Sequence, residues 1–178
     1  LVYTKPNPSS KLKDSRAVAV VNSNTKEVLN LLIDFENHWK WMDRIKISRM
    51  VKKISDSEFY VYYEAVAPWP VSNRDLITRY KVIMSDNGKI VLESVGHPDF
   101  LPKKDGLVRI PEAKSRWEII PRKDGAVEII WTNHSNPGGS IPAPSASPRC
   151  CRCSRSCSRP RRRASRRSSP PRPSHPWD

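Results

Sequence analysis

Cysteine is missing from the first 149 residues of this 178-residue chain, and all four stand together at Cys150, Cys151, Cys153 and Cys157. That absence takes disulfides and thiol chemistry out of most of the protein. No apolar run approaches the ~20 residues that a spanning helix needs, so none is read here. Residues 144–178 have no Lys, and no Leu, Ile, Val, Phe or Met either. Such a segment cannot bury enough apolar surface to offset its ordering entropy, and the expectation is disorder. Its seven prolines exclude an uninterrupted helix.

The charge divides along the same line. A formal net charge of +14 resembles a nucleic-acid signal until it is split. Residues 144–178 hold ten Arg against one Asp, or +9, while residues 1–143 hold 22 basic and 17 acidic residues, or +5. The body is therefore only mildly basic, with its signs interspersed. One folded unit at 1–143 and a basic low-complexity tail at 144–178 is the division this predicts. Two origins compete for the tail: a natural Arg/Ser-rich extension, or a shifted reading frame in a GC-rich gene. The second is favoured, because the body's 14 Lys and 8 Arg give way abruptly to ten Arg and no Lys. Nucleic-acid binding through the tail would rest on charge without a folded reader. The chain starts at Leu1 without Met, so the body is expected to be incomplete at its N-terminus; the location is not read from the residues, with the cytoplasm favoured.

Few residues suggest chemistry. The cysteines lack the second, distant pair of a structural zinc site, and His175 stands alone, so no metal is expected. His97 and His134 have no partner at metal or triad spacing and read as loop histidines. Asn133-His134-Ser135 fits a glycosylation sequon, a triplet that chance produces readily. No Ser/His/Asp set sits in a nucleophile-elbow context. No catalytic residue and no cofactor is nominated.

The densest local constraint lies at residues 67–75, A-P-W-P-V-S-N-R-D. Pro68 and Pro70 remove two backbone donors and stop any ladder there. Trp69 stands between them, Ser72-Asn73 is turn chemistry, and Arg74-Asp75 opens the strand-like run to residue 84. Residues 58–65 read as the strand before the corner. Elsewhere, residues 1–4 read as a strand end and 5–13 as a polar turn region. Residues 15–21 read as a strand, and Asn24 with Glu27 as a helix-starting capping box. Val28, Leu31, Leu32 and Phe35 follow the helical period, and Trp39 and Trp41 are taken as packing residues. Strands are predicted at 45–54, 89–95, 108–110, 115–120 and 126–133, mostly joined by hairpin turns. One early helical block and many hairpin strands predict an α+β fold with a curved antiparallel sheet.

P-W-P-V-S-N-R-D, preceded by F-Y-V-Y-Y-E, resembles the signature of START domains, the steroidogenic-acute-regulatory-protein-related lipid-transfer family. The stretches D-F-E-N-H-W-K-W-M (34–42), V-R-I-P (108–111) and N-P-G-G-S-I-P (136–142) fit bacterial members in order and spacing. The resemblance runs from about Val2 to Ala143. It implies a helix-grip fold in which the sheet holds a long C-terminal helix over a lipid cavity, a helix that residues 144–178 do not supply. It also implies non-enzymatic binding of a lipid or sterol-like ligand by a monomer that touches membranes transiently. The alternatives are a polyketide cyclase or aromatase of the same superfamily, or nucleic-acid binding through the tail.

Strand alternation sorts the aromatics. Phe59, Val61, Tyr63 and Ala65 share one face, Tyr60 and Tyr62 the other. Trp117 pairs in facing with Ile119, and Trp131 with Val127 and Ile129. The ligand-binding candidates, as cavity wall or gate, are Tyr63, Trp69, Arg74, Trp117 and Trp131. For Arg74, the resemblance implies an arginine that orients a polar lipid headgroup or pairs with a carboxylate such as Glu64, and a structural role is favoured over direct ligand contact.

Overall fold

Turn residues set the strand boundaries. The computed structural model describes residues 1–8 and 10–139. The cysteines, His175 and everything expected of segment 144–178 lie outside the described residues. Within them the chain runs β1 (Val2–Asn7), β2 (Ser10–Val21), α1 (Thr25–Ile33), a 3-10 helix (Phe35–Lys40), β3 (Ile45–Ser55), β4 (Glu58–Ala65), β5 (Arg74–Met84), β6 (Ile90–Gly96), β7 (Val108–Arg109), β8 (Glu112–Pro121) and β9 (Val127–Asn136). The strands form one curved sheet in the order β1-β2-β9-β8-β6-β5-β4-β3, all antiparallel, with β7 added parallel to β5. The predicted α+β fold is the observed one.

The order explains where the helices go. β2 lies near one edge of the sheet and β3 forms the other, so the connection between them must cross a face. Helix α1 and the 3-10 helix make that crossing. Asn24 caps α1, its side chain accepting from the Glu27 amide at 2.9 Å. The return half of a capping box is absent among the described contacts; Glu27 accepts from Ser23 Oγ at 2.7 Å instead. Val28, Leu29, Leu32 and Phe35 seal the helix onto Phe59, Val61, Tyr80, Leu92, Ile119 and Val127. Leu29, not Leu31, is the buried position; Leu31 is exposed because α1 meets a concave sheet along a stripe displaced toward its other side. Trp39 and Trp41 are also exposed, correcting their reading as packing residues: the short 3-10 helix turns His38 and Phe35 inward, and the tryptophans outward.

The N-terminal hairpin is tighter than expected. Residues 5–13 are not an open turn region; β1 continues through Pro6 to Asn7 and β2 starts at Ser10. Proline is tolerated because β1 is an edge strand, where a missing amide breaks no ladder on its open side. His134 likewise lies on a strand, β9, where its Nδ1 meets Asp14 Oδ1 at 2.8 Å, so the loop reading fails for it. His97 does sit in a loop, edge-on to Tyr60.

Three of the sequence stretches meet at one corner. Residues 66–73 join β4 to β5, with a cis peptide bond at Trp69-Pro70. β7 pairs beside the start of β5, with the Val108 amide donating to the Asn73 carbonyl at 2.9 Å and the Ile110 amide to that of Asp75 at 2.9 Å. Residues 136–139 fold back over β7, where Gly138 has φ +64° and a Cβ would come within 2.9 Å of Pro111 Cδ. Only glycine fits that position.

One buried ion pair ties the corner together. Asp75 is 1% exposed and takes a two-pronged contact from Arg109, Nε to Oδ1 at 2.8 Å and Nη2 to Oδ2 at 2.9 Å. Arg109 also donates to the carbonyls of Pro98, of Leu101 at 2.9 Å and of Pro102 at 3.0 Å. Removing one partner strands the other charge in the interior. Arg109→Met is therefore expected to cost ~3–5 kcal/mol of unfolding free energy in urea, a loss partly recovered when Asp75→Asn is added. A loss within error of zero would show that the pair does not hold the corner.

Candidate functional site

The site is built on the concave face of the sheet. Cross-strand register puts Ala65, Arg74, Leu76, Thr78 and Tyr80 on that face through β4 and β5. It continues through Ser94 to Ser115 and Trp117, then to Trp131 and Asn133. Between these side chains, Met42, Ile45 and Ile110 lies a cavity of about 160 Å³. Trp117 and Trp131 face each other across β8 and β9, stacked with ring centroids 5.5 Å apart, and make one apolar wall.

The opposite wall carries hydroxyls. His38, 3% exposed on the 3-10 helix, lies with Nε2 3.1 Å from the Leu32 carbonyl oxygen and Nδ1 2.8 Å from the Tyr63 hydroxyl. A carbonyl only accepts, so Nε2 bears the hydrogen and Nδ1 must accept. Tyr63 then donates to His38 and accepts from the Tyr80 hydroxyl, 3.1 Å away. Ser94 reaches both Tyr80 and Ser115, the latter at 2.7 Å. Burial, then the neighbouring Tyr80, pushes the Tyr63 phenol well above its ordinary value; burial also raises that of Tyr80. The row is neutral and its direction is set from the His38 end.

Of the five candidates, the structure brings four together: Tyr63, Arg74, Trp117 and Trp131 line this cavity. Trp69 does not, being 93% exposed on the outside of the corner, which rules out a core role for it. Arg74 is 7% exposed and does not pair with Glu64, because adjacent strand positions face opposite ways: Glu64 pairs instead with Lys46 at 3.4 Å. Arg74 Nη1 donates to the Ser72 carbonyl. The sequon residue Asn133 lines the cavity from mid-strand, where its side chain is turned inward.

Sequence reasoning missed His38, Tyr80 and Ser94. Tyr80 was within reach, since it stands six residues after Arg74 on the same strand and so on the same face. His38 was not, because a 3-10 helix breaks the 3.6-residue period that would have turned it inward on paper. A larger open groove, about 490 Å³, lies mainly on the other face of the sheet. Arg116 pairs there with Glu93 and Lys114 with Glu112, and His134 Nδ1 lies 2.8 Å from Asp14 Oδ1, which makes it a solvated face.

Comparison with known proteins follows this geometry. The model of the START domain matches residues 1–163. The rat phosphatidylcholine transfer protein is 25% identical over 148 residues, covering 80% of this chain and 68% of its own. A crystal structure of a STAR-related lipid transfer protein fragment from Xanthomonas axonopodis is 35% identical and superposes with a TM-score of 0.74, covering 79% of this chain and 78% of that one. The human StAR-related lipid transfer protein 5 shares the fold at 17% identity, with a TM-score of 0.70 over 79% of this chain and 69% of its own.

Burial holds the His38 imidazole below its ordinary value of 6.5, against the opposing pull of the Leu32 carbonyl and Asp34. The unfolded chain therefore takes up this proton first as pH falls. The stability that neutral His38 contributes is complete above about 6.5 and is lost progressively below it. Urea midpoints should fall between pH 7.5 and 5, and His38→Gln should flatten that fall. An unchanged slope in the variant would show that other groups set it.

Proposed function

This chain belongs to the START domain family, and from that premise we propose that it takes a lipid or other hydrophobic ligand out of water into the concave-face cavity, without chemistry. The observation that carries this reading is the cavity itself, an apolar wall of Trp117 and Trp131 opposite a hydrogen-bonded row of neutral hydroxyls. Burial of the ligand supplies the drive, ~25 cal/mol per Å² of apolar surface removed from water. The hydroxyl row gives one polar group of the ligand a partner, so that its desolvation is not left uncompensated. Tyr63, Trp117 and Trp131 are the wall in this reading.

Transfer is the further step. The relatives named as lipid transfer proteins support it by likeness, and a monomer acting alone at a membrane surface is the working form. Trp69 supplies the gate: it projects from a corner that carries two prolines, beside the strand from which Arg74 lines the cavity. A Trp held in that way suits the boundary between headgroups and water. Folded unit and basic tail divide at residue 143 in this reading.

Native mass spectrometry of the full chain, recovered from lipid-rich cells, should show one bound lipid or sterol-like molecule. Apo protein alone, with no uptake of fluorescent phospholipid or sterol, would overturn the reading. Trp69→Ala should slow or speed uptake and release while changing stability by under ~0.5 kcal/mol, as befits an exposed side chain. Unchanged exchange kinetics with vesicles would remove Trp69 from the gate.

A further inference from the structure

The charge of Arg74 is left unanswered within the cavity. Arg74 is 7% exposed and lines the cavity, yet among the described residues no carboxylate forms an ion pair with it. The two acidic residues that sequence proximity would offer are both committed elsewhere. Glu64 points to the other face and meets Lys46 at 3.4 Å. Asp75 points away and is held at both oxygens by Arg109. Among the described residues the side-chain hydrogen bond of Arg74 goes from Nη1 to the carbonyl of Ser72. A guanidinium has five N–H donors, and a carbonyl carries no charge. Burying a cation with so little compensation is costly, and the ordinary remedy is a paired anion.

We propose that Arg74 is the anion site of this cavity, and that the ligand is an amphiphile bearing a carboxylate or phosphate oxyanion. This deepens the lipid-binding reading and rests on it. Three features of the geometry support the choice. The fork of a guanidinium matches carboxylate and phosphate oxygens two at a time. The hydroxyls of Tyr63, Tyr80, Ser94 and Ser115 lie in the same cavity and are neutral, so they do not satisfy the cation by charge. The remaining cation of the lining, Lys114, already pairs with Glu112 at 3.3 Å. Ligands with a neutral or cationic head would leave Arg74 desolvated and uncompensated. The cavity therefore discriminates by head charge, whatever chain it holds.

The test compares heads on one chain. Dodecanoate and dodecan-1-ol share their tail, so the ratio of their dissociation constants for the full-length protein isolates the head. Intrinsic tryptophan fluorescence reports binding, since Trp117 and Trp131 line the cavity. Dodecanoate should bind roughly tenfold or more tightly than the alcohol, the size of a charge-assisted contact. Arg74→Gln should abolish that preference, bringing the two constants together, and Arg74→Lys should keep part of it. An unchanged near-UV CD spectrum shows that the variant folds. Equal affinities in the native protein, or a preference that survives Arg74→Gln, would overturn the anion site and leave lipid binding standing. Failure of both probes to bind would overturn the two readings together. Inorganic phosphate is the third arm: if it binds alone while dodecanoate does not, the source is a free anion and the amphiphile is refuted.

Discussion

The corner depends on the two-pronged contact between Asp75 and Arg109. Each brings to the interior a charge that would be prohibitive alone, and each uses it fully. Both Asp75 oxygens are engaged, and Arg109 spends its donors on that carboxylate and on three carbonyls of residues 98–102. The pair thus joins the first turn of β5 to β7 and to the loop that covers the outer aromatics, where Phe100 stacks on Tyr60 at 3.9 Å. Residues 136–139 rest on β7 in turn. Three segments share one electrostatic knot, and residues 136–139 pack on one of them. Its net contribution relative to an apolar core is small, but its removal is expensive, and that asymmetry makes it a device of specificity.

The same pleat that sends Asp75 outward sends Arg74 inward. Two adjacent, opposite charges can neutralise one another in a turn. In a strand they cannot, because successive side chains leave on opposite faces. The outward one finds Arg109 and the inward one finds a cavity. Ion pairing on one face of β5 is therefore what leaves an unmatched cation on the other.

How much of this was legible in the residues differs by interaction range. Strand β4 is found at its predicted bounds, and the hairpins at Ser55–Glu58 and Gly88 close where Asp, Asn, Ser and Gly allow, because turn chemistry is local. The alternation that put Tyr63, Trp117 and Trp131 on shared faces holds across the sheet for the same reason: period two survives any curvature. The capping box was half legible; Asn24 caps, but Glu27 turns to Ser23. What failed depended on distant partners. The burial of Asp75 requires an arginine 34 positions away. Leu29 displaces Leu31 because of the sheet's curvature, which no window of helix residues contains. The residues alone left Trp69 as cavity wall or gate, and the corner projects it into solvent.

Volume and charge constrain the ligand together. The cavity of about 160 Å³ falls short of the ~300–1,000 Å³ of ordinary ligand sites, so on the proposed reading it takes one end of a lipid and not the whole. Which end follows from the lining. An alkyl terminus would gain from Trp117, Trp131 and Leu76 but would leave the hydroxyls of Tyr63 and Ser94, and the charge of Arg74, facing hydrocarbon. A polar head meets the charge of Arg74 and still touches the indole rings with its first methylenes. The direction of the hydroxyl row adds a further restriction. Because His38 commits Nε2–H to Leu32, Tyr63 must donate to Nδ1, and Tyr80 must donate to Tyr63. Neither phenol keeps a hydrogen for the ligand, so the row offers it acceptor lone pairs, and the charged donor without an ion pair among the described residues of the lining is Arg74. A head rich in acceptors therefore has one place to go.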